Sequence, residues 1–403
     1  MRWPVRQVKE LCLFAVDCVN KTAPTVDYDT GFKMIRTTNV KGGFIDLTDV
    51  RYVTEDVFQK WTRRSKPQYG DVILTREAPV GEVGRYTSDD DKVFLGQRLF
   101  HYRPDPALLD WNYLAYVLQS RTVQGRLKGL GFGATVEHIR VGDAEDFLIP
   151  CPPIGIQQKI GGVLSAYDDL IENNRRRIQL LEQVVGLLYK EWFAHLRFPG
   201  HEHVKIKNGV PEGWEKKTAF DVMDVLSGGT PKTDVSDYWG GKIPFFTPKD
   251  ATDSAYVFAT EKTLTETGLK NCNSVLYPKD TVFITARGTV GNINLTAVPM
   301  AMNQSCYALV AKPPLNQIFL HLALKESVEQ FRSRAVGAVF DAIIRDTFKL
   351  IPFVVPEENL VRLFTDYAEP VLGQLHALMN QTRKLAQARD LLLPRLMSGE
   401  IAA

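Results

Sequence analysis

The chain has 403 residues, 44% of them hydrophobic and 24% charged, and its Lys and Arg outnumber its Asp and Glu by only 49 to 47. These values exclude a disordered chain and a surface of one charge sign, and with no run of eighteen apolar residues they exclude a membrane-spanning helix. The length fits two domains of ordinary size, and Met1-Arg2-Trp3-Pro4 enters the first of them without a secretory signal, so a cytoplasmic protein with no membrane attachment is expected.

In chain order, Asp71–Thr75 and Val93–Tyr102 read as strands and Trp111–Ser120 as a helix, with Gly, Pro, Asn and Asp between them. A heptad seam follows. Ile160, Leu164, Tyr167, Ile171, Asn174, Ile178, Leu181, Val185, Leu188 and Trp192 alternate spacings of four and three without a break. Phe198-Pro199-Gly200 ends that helix, and His195, His201, Glu202 and His203 read as a solvated connector, having no HExxH spacing for a metal. Thr281–Thr285 and Ser305–Val310 are the next strands, and Gln317–Arg334 is the next helix. Adding 207 to the first seam gives Tyr367, Val371, Gln374, Leu378, Gln381, Leu385, Ala388, Leu392 and Arg395, a second helix in the same register. Pro370 is expected to kink or delay it and Pro394 to end it near Leu393. An amide inside a seam fixes register when it finds a partner, so Asn174 and Gln381 are expected to meet near the middle of an antiparallel pair.

The chain also says nearly the same thing twice. GDVILTREAPVGEVG around Thr75 returns as KDTVFITARGTVGNI around Thr285, with Thr75 facing Thr285, Val80 facing Val290 and Gly81 facing Gly291. Outward from there Trp3 pairs with Trp214, Thr22 with Thr230, Thr37 with Thr247, Thr54-Glu55 with Thr265-Glu266 and Gln97 with Gln304. A period near half the chain is a duplicated domain and not a solenoid. Each copy mixes short strands with few helices and lacks regular strand-helix alternation, so the fold class is α+β, twice.

Sites for chemistry are missing from this pattern. Gly129, Gly131 and Gly133 do not follow a strand in the way a dinucleotide loop requires, and GGTPKT at Gly228–Thr233 has the spacing of a turn and not of a P-loop. The five cysteines (Cys12, Cys18, Cys151, Cys272, Cys306) are scattered, contain no CxxC, and read as reduced packing residues. No methyltransferase tetrapeptide or nuclease core is present, so the chain is read as non-catalytic. Residues 1–150 carry 21 basic against 20 acidic side chains and residues 211–352 carry 15 against 15, so any hold on nucleic acid comes from clustered cations or is shared with a partner.

LYKEWFAHLRFPGHE (Leu188–Glu202), the paired TREAPVG and TARGTVG turns, and LLLPRLMSGEI (Leu391–Ile401) together resemble the specificity subunit of type I restriction-modification systems, and the resemblance covers the whole chain. It implies two similar target-recognition domains separated by two long helices packed as an antiparallel coiled coil. The boundaries it implies are 1–153 for the first domain, 154–197 for the first helical spacer, 198–213 for a linker, 214–355 for the second domain, and 356–403 for the second spacer and tail. The chain departs from the family in having almost no helix before its first domain.

The same resemblance implies a function. Each domain reads one half of a bipartite double-stranded DNA target, and the helical pair sets the spacer and docks two methyltransferase subunits. Those subunits carry S-adenosylmethionine and methylate adenine at N6, restriction subunits join through them, and this chain holds no cofactor or metal of its own. A helix of the predicted length spans roughly 50 Å at 1.5 Å per residue, enough to act as a ruler along DNA.

Arginine to guanine and amides to adenine are the chemistry of base reading, and basic side chains also grip phosphates. The candidates are Arg36, Arg63, Arg64, Arg76 and Lys128 in the first domain and Lys232, Lys249, Arg287, Arg334 and Arg345 in the second. Arg76 and Arg287, inside the repeated motif, are expected to hold phosphates or the domain itself. Tyr189, Trp192, Phe193 and Phe198 are the candidate partner-binding group, with local core as the alternative. Two other readings are a stand-alone DNA-binding protein, which calls for stronger charge, and a methyltransferase-binding protein that reads no DNA, which leaves the duplication unexplained.

Overall fold

The computed structural model describes residues 3–130, 138–333 and 342–402, and the chain divides into two compact units, Met1–Ile171 with Lys384–Ala403, and Glu172–Arg383. In the first unit a six-stranded sheet runs in the order Cys12–Asp17, Leu99–Pro104, Val72–Thr75, Val83–Arg85, Gly43–Ile45, Val40–Lys41. Leu99–Pro104 and Val72–Thr75 take central places because both of their faces are apolar: Leu99, Phe100, Tyr102, Val72, Ile73 and Leu74 are all fully buried. The ladder is antiparallel except where Gly43-Phe44 run parallel to Gly84-Arg85. A second sheet orders Arg51–Tyr52, Lys33–Ile35 and Val93–Leu95, the last two parallel.

The second unit repeats this plan. Its larger sheet orders Met223–Ser227, Cys306–Ala311, Val282–Thr285, Ile293–Thr296 and Tyr256–Val257, again with one parallel pair at the far side. Its smaller sheet orders Lys262–Leu264, Trp239–Phe246 and Ala301–Met302. In both units a helix follows the central hairpin, Trp111–Gln119 in one and Gln317–Ser333 in the other. Each is capped alike: Asp110 Oδ1 accepts from Tyr113 N–H at 2.8 Å, and Asn316 Oδ1 from Phe319 N–H at 2.9 Å.

Several elements differ from the sequence expectation. Val93–Tyr102 is two strands in two sheets, Val93–Leu95 and Leu99–Pro104, because the Gly96 N–H is taken by Ile35 O at 2.8 Å and Arg98 then turns the chain at a φ of 71°. The helix expected to reach Ser120 stops at Gln119, and a further helix, Arg121–Gly129, follows an extended Ser120. Part of the expected connector is structured, with a turn at His201–His203 and a hairpin of Ile206–Lys207 with Val210–Pro211.

The two long helices, Ile154–Tyr189 and Glu358–Ser398, pack antiparallel within each unit. In the second unit Trp192 meets Phe364 with ring centroids 5.7 Å apart, and Asn174 Nδ2 donates to Gln381 Oε1 at 3.3 Å. In the first, Ile160 and Leu164 share a core with Leu396 and Met397, and Asp168 pairs with Arg389. The second helix begins at Glu358 and runs through both prolines, so Pro370 does not delay it and Pro394 does not end it near Leu393, against expectation. Each removes one ladder bond at about 3 kcal/mol or more, but Leu372, Leu375 and Leu378 lie buried beyond Pro370, and Leu396 and Met397 beyond Pro394. Each such side chain contributes about 1.5–3 kcal/mol.

The offset between the helices is also corrected. Their first turns close on Pro153 and Glu357, through Gln157 N–H to Pro153 O at 3.1 Å and Val361 N–H to Glu357 O at 3.1 Å, which sets the repeat at 204 residues. Shifting by three keeps most of a heptad pattern apolar, so 207 passed on spacing alone. The buried face of the second helix is Val361, Phe364, Ala368, Leu372, Leu375 and Leu378, while Tyr367 is 57% exposed and Gln374 and Arg395 face solvent. The Asn174–Gln381 bond therefore joins two residues that are not repeats of each other. Gly161 marks a close approach: a Cβ there would stand 2.6 Å from Asp110 Oδ1, so only glycine lets the first helix seat on the start of Trp111–Gln119.

Candidate nucleic-acid interface

One turn anchors each unit, and it is built twice from the same bonds. In the first unit Gly81 N–H donates to Thr75 O at 2.9 Å, Glu82 N–H to Thr75 Oγ1 at 2.9 Å, and Thr75 Oγ1 to Pro79 O. In the second, Gly291 N–H donates to Thr285 O at 2.9 Å, Asn292 N–H to Thr285 Oγ1 at 2.9 Å, and Thr285 Oγ1 to Thr289 O. Gly81 and Gly291 stand at φ of 87° and 86°, which a side chain resists. The start of the turn is tied to the neighbouring loop by Arg76 N–H to Arg98 O and by Ala286 N–H to Ser305 O, both 2.8 Å. Thr22 Oγ1 donates to Gln97 Oε1 at 3.3 Å, and Thr230 Oγ1 to Gln304 Oε1 at 2.6 Å.

A short 3₁₀ turn borders this frame in both units. Arg36 N–H donates to Asn39 Oδ1 and Thr247 N–H to Asp250 Oδ2, each at 2.8 Å, so Arg36 and Thr247 hold the same place. The sequence pairing of Thr37 with Thr247 is off by one residue. Thr37 Oγ1 instead donates to Ala78 O at 3.0 Å, closing the 3₁₀ turn onto the anchoring turn, and in the second unit Thr289 Oγ1 closes the same gap onto Pro248 O at 3.3 Å.

In the second unit the frame encloses a cleft of about 510 Å³. Lys249, Lys262 and Arg287 line it beside Thr230, Asn303 and Ser305, with the Trp239 ring as part of the wall. Lys262 Nζ lies 5.5 Å from the centroid of that ring, a cation–π contact that leaves the ammonium at the rim. Trp239 is itself held by Nε1–H to Lys232 O at 3.1 Å. Asp250 and Glu261 also line the cleft, so it offers carboxylate acceptors beside three cations, an amide and hydroxyls around an aromatic wall, a mixture of groups suited to base edges and phosphates.

The candidates from the sequence scatter around this frame. Lys249 and Arg287 line the cleft, and Lys232 is exposed next to its wall. Arg36 bonds Asp49 Oδ2 at 3.3 Å and Arg64 bonds Asp17 Oδ1 at 2.6 Å, while Arg63 and Lys128 are exposed. The Arg76 guanidinium turns inward, Nε–H to Ile139 O at 2.9 Å, and holds the domain together. Arg345 stacks over Phe220, its Cζ 5.5 Å from the ring centroid, with Lys312 and Lys349 on the same ring. Arg334 lies outside the described residues. Sequence reasoning missed Lys262, Asn303 and Arg98. The Gln97–Gln304 pairing was the signal that reached furthest, because the next residue in each copy is Arg98 or Ser305.

The aromatic group read as partner-binding serves the second unit's own core. Phe193 lies 4.9 Å from Phe319 and 5.0 Å from Phe364, Tyr189 is 5.6 Å from Phe319, and Phe198 is 5.3 Å from Trp214, all centroid to centroid. Trp192 and Phe198 are buried, so little ring surface is left for another chain. An exposed apolar row lies elsewhere on that helix: Leu180, Val184 and Leu187 are 60%, 53% and 61% exposed and share one face.

Burial pushes the Cys12 thiol up to about 12, and all five cysteines are unpaired. Among the described residues no three His, Cys, Asp or Glu side chains gather as a metal site, and no helix is long and apolar enough to cross a membrane.

A family profile described as "Type I restriction modification DNA specificity domain" matches residues 2–183 and 211–360. The type I restriction enzyme MjaIX specificity subunit of Methanocaldococcus jannaschii is 25% identical over 363 residues, covering 87% of this chain and 82% of that one. The HindI specificity subunit of Haemophilus influenzae is 21% identical, covering 82% and 86%. The crystal structure of a type I restriction-modification S subunit from M. genitalium superposes with a TM-score of 0.62 at 18% identity, over 98% of this chain and 96% of that one.

Proposed function

Because the chain belongs to the family of type I restriction-modification DNA specificity domains, we propose that it is the non-catalytic DNA-recognition subunit of such a complex, each recognition domain reading one half of a split target. The observation that carries this reading is the frame built twice from the same backbone bonds with different charged side chains around it. A shared scaffold with divergent donors is what two readers of two half-sites require. The recognition domains are placed at 1–153 and 214–355, with residues 198–213 as the linker between helix and second domain.

The antiparallel helix pair sets the spacer between the half-sites and carries two methyltransferase subunits, which bring S-adenosylmethionine and methylate adenine at N6. Restriction subunits join through them, and the complex works in the cytoplasm. With Tyr189, Trp192, Phe193 and Phe198 committed to the core, docking falls on the exposed row Leu180, Val184 and Leu187. Leu180→Glu with Leu187→Glu is expected to abolish co-purification with the methyltransferase while the subunit stays folded.

The test of the whole reading is a map of N6-methyladenine in DNA exposed to the reconstituted complex, in which a split motif with a fixed gap is expected. Seven residues inserted after Asn174 and seven before Gln381 keep the seam and add about 10 Å. The gap should grow by about three base pairs at 3.4 Å each. An unchanged gap rules out the helices as the ruler.

A further inference from the structure

The shared frame makes the two domains comparable side chain by side chain. Because Arg76 N–H donates to Arg98 O where Ala286 N–H donates to Ser305 O, residue 77 matches 287 and residue 98 matches 305. This adjacent pair carries one arginine in each domain, on opposite members: Glu77 and Arg98 in the first, Arg287 and Ser305 in the second. In the first domain Glu77 Oε2 grips Arg98 Nε at 2.9 Å, with the arginine side chain 44% exposed and the glutamate 22%. The carboxylate is the more buried of the two, so it orients a guanidinium that faces outward. In the second domain Arg287 is exposed and lines the cleft together with Ser305, and among the described residues it forms no ion pair, its partner position being a serine.

Arg98 also stands at a φ of 71°, where a non-glycine residue is strained. Strain of this kind is kept where the surrounding structure needs the residue in that place. Gly96 and Asn303 differ at the neighbouring position, and Asn303 Oδ1 is bonded by its own chain, to Ser305 N–H at 3.0 Å. The domains thus share every bond that builds the turn and differ in the side chains it presents.

We infer that this two-position pair is a base-reading pair, Arg98 in the first domain and Arg287 in the second each addressing a guanine edge, with Glu77 positioning Arg98. The inference rests on the DNA-recognition reading above. An arginine fork matches guanine O6 and N7 with two parallel bonds, which a lysine cannot reproduce although it keeps the charge. It reverses the sequence expectation for Arg287, which grouped it with Arg76 as a scaffold or phosphate residue. Structurally Arg76 matches Ala286, and its inward bond to Ile139 O is the scaffold role.

The experiment uses the complex of the full chain with its methyltransferase subunits, acting on a randomised DNA library read for N6-methyladenine. Arg287→Lys is expected to lose preference for guanine at one position of one half-site, by about 5- to 150-fold. Arg98→Lys should do the same in the other half-site only. Glu77→Gln should weaken the preference that Arg98→Lys removes, and Glu77→Asp should restore part of it. An unchanged motif with Arg287→Lys overturns the proposal. So does a loss with Arg287→Ala that is equal over all sequences and flattens the salt dependence, since that marks a phosphate contact. A wild-type complex that methylates no split sequence fails earlier and overturns the functional reading itself.

Discussion

The place where the long helices meet the first recognition domain and the matching place in the second are built on opposite principles. In the first unit Asp168, 1% exposed, accepts from Arg85 Nη2 at 2.8 Å, from Arg389 Nη1 at 2.5 Å and from the Tyr116 hydroxyl. Arg85 is itself buried, stacked on Phe44 and Tyr116, and bonded to Asn112 Oδ1 at 2.9 Å. Carried across the repeat, Arg85 becomes Leu295, Tyr116 becomes Leu322, Asp168 becomes Leu372 and Arg389 becomes Val185, all buried in one apolar core. Three of the four, Val185, Leu322 and Leu372, border a cavity of about 180 Å³ that has Glu182, Lys325 and His321 in its wall. One junction is a satisfied ion network and the other a loosely filled hydrocarbon contact. The same backbone plan accepts both, so the plan does not depend on the charges. A network of this kind confers direction and uniqueness more than net stability.

Removing one member of the network should have the largest effect. Asp168→Ala leaves the Arg85 guanidinium buried without a counter-charge, while Arg389 keeps Asp390 at 2.8 Å, and a loss of about 3–5 kcal/mol is expected in urea unfolding of the subunit. Leu372→Ala at the matching site should cost about 2–5 kcal/mol, by cavity formation alone. The two costs then separate by salt: raising ionic strength should leave the leucine variant's loss unchanged while altering that of the aspartate variant. Installing the second unit's residues in the first, as Arg85→Leu, Tyr116→Leu, Asp168→Leu and Arg389→Val together, should be neutral or stabilising by about 1–4 kcal/mol. If the fourfold variant is as unstable as Asp168→Ala alone, the two junctions are not interchangeable and the comparison fails.

Much of this plan was readable in the sequence because it rests on features with a period. The duplicated turn, the first helical seam, the existence of a second long helix and the α+β class come from repeats and spacings that burial imposes directly, whereas the register of the second seam does not, since a shift of three residues leaves its spacing intact. The sites were less readable for a physical reason. Arg85 and Asp168 are polar residues placed inside by partners 83 residues apart along the chain, and no local pattern announces such a pairing. Trp192 and Phe193 looked like an interface because a sequence records that aromatic side chains are buried and not by which surface. Arg98 escaped because its importance lies in a backbone angle and a neighbour, Glu77, supplied by the anchoring turn. The continuity of the second helix through Pro370 and Pro394 was likewise invisible, since it depends on the leucines that tertiary packing buries after each proline.

A second effect sharpens the contrast through pH. His321 is 1% exposed, its Nδ1 has no partner, and burial, with Lys325 nearby, pushes its pKa down to about 3. The matching residue of the first unit is Ala115, also fully buried. The unfolded chain takes up a proton at the ordinary histidine pKa near 6.5, whereas the folded second unit does not until the pH is near 3. Its stability contribution is therefore complete above about pH 6.5 and falls as the pH drops below it, by about 1.4 kcal/mol per pH unit. His321→Ala copies the first unit and should remove one proton's worth of slope from the plot of unfolding free energy against pH between 6.5 and 4. An unchanged slope would mean that the histidine is already protonated when folded, and the second junction would then hold a charge after all.

The smallest effect concerns Gly186, on the helical wall of the same cavity. A Cβ built there meets nothing within 4 Å, so the glycine is not required by any close approach, unlike Gly161 in the first unit, where the Cβ would strike Asp110. Gly186→Ala should therefore stabilise the subunit by about 0.5–1 kcal/mol, by reducing the freedom of the unfolded helix segment. Gly161→Ala should destabilise by more than that, because Asp110 would have to surrender its cap of Tyr113 N–H. Opposite signs at two helix glycines would show that the first junction is closed to its last atom and the second still has room. If Gly186→Ala also destabilises, the helix wall is tighter than the cavity implies and the looser packing of the second junction is wrong.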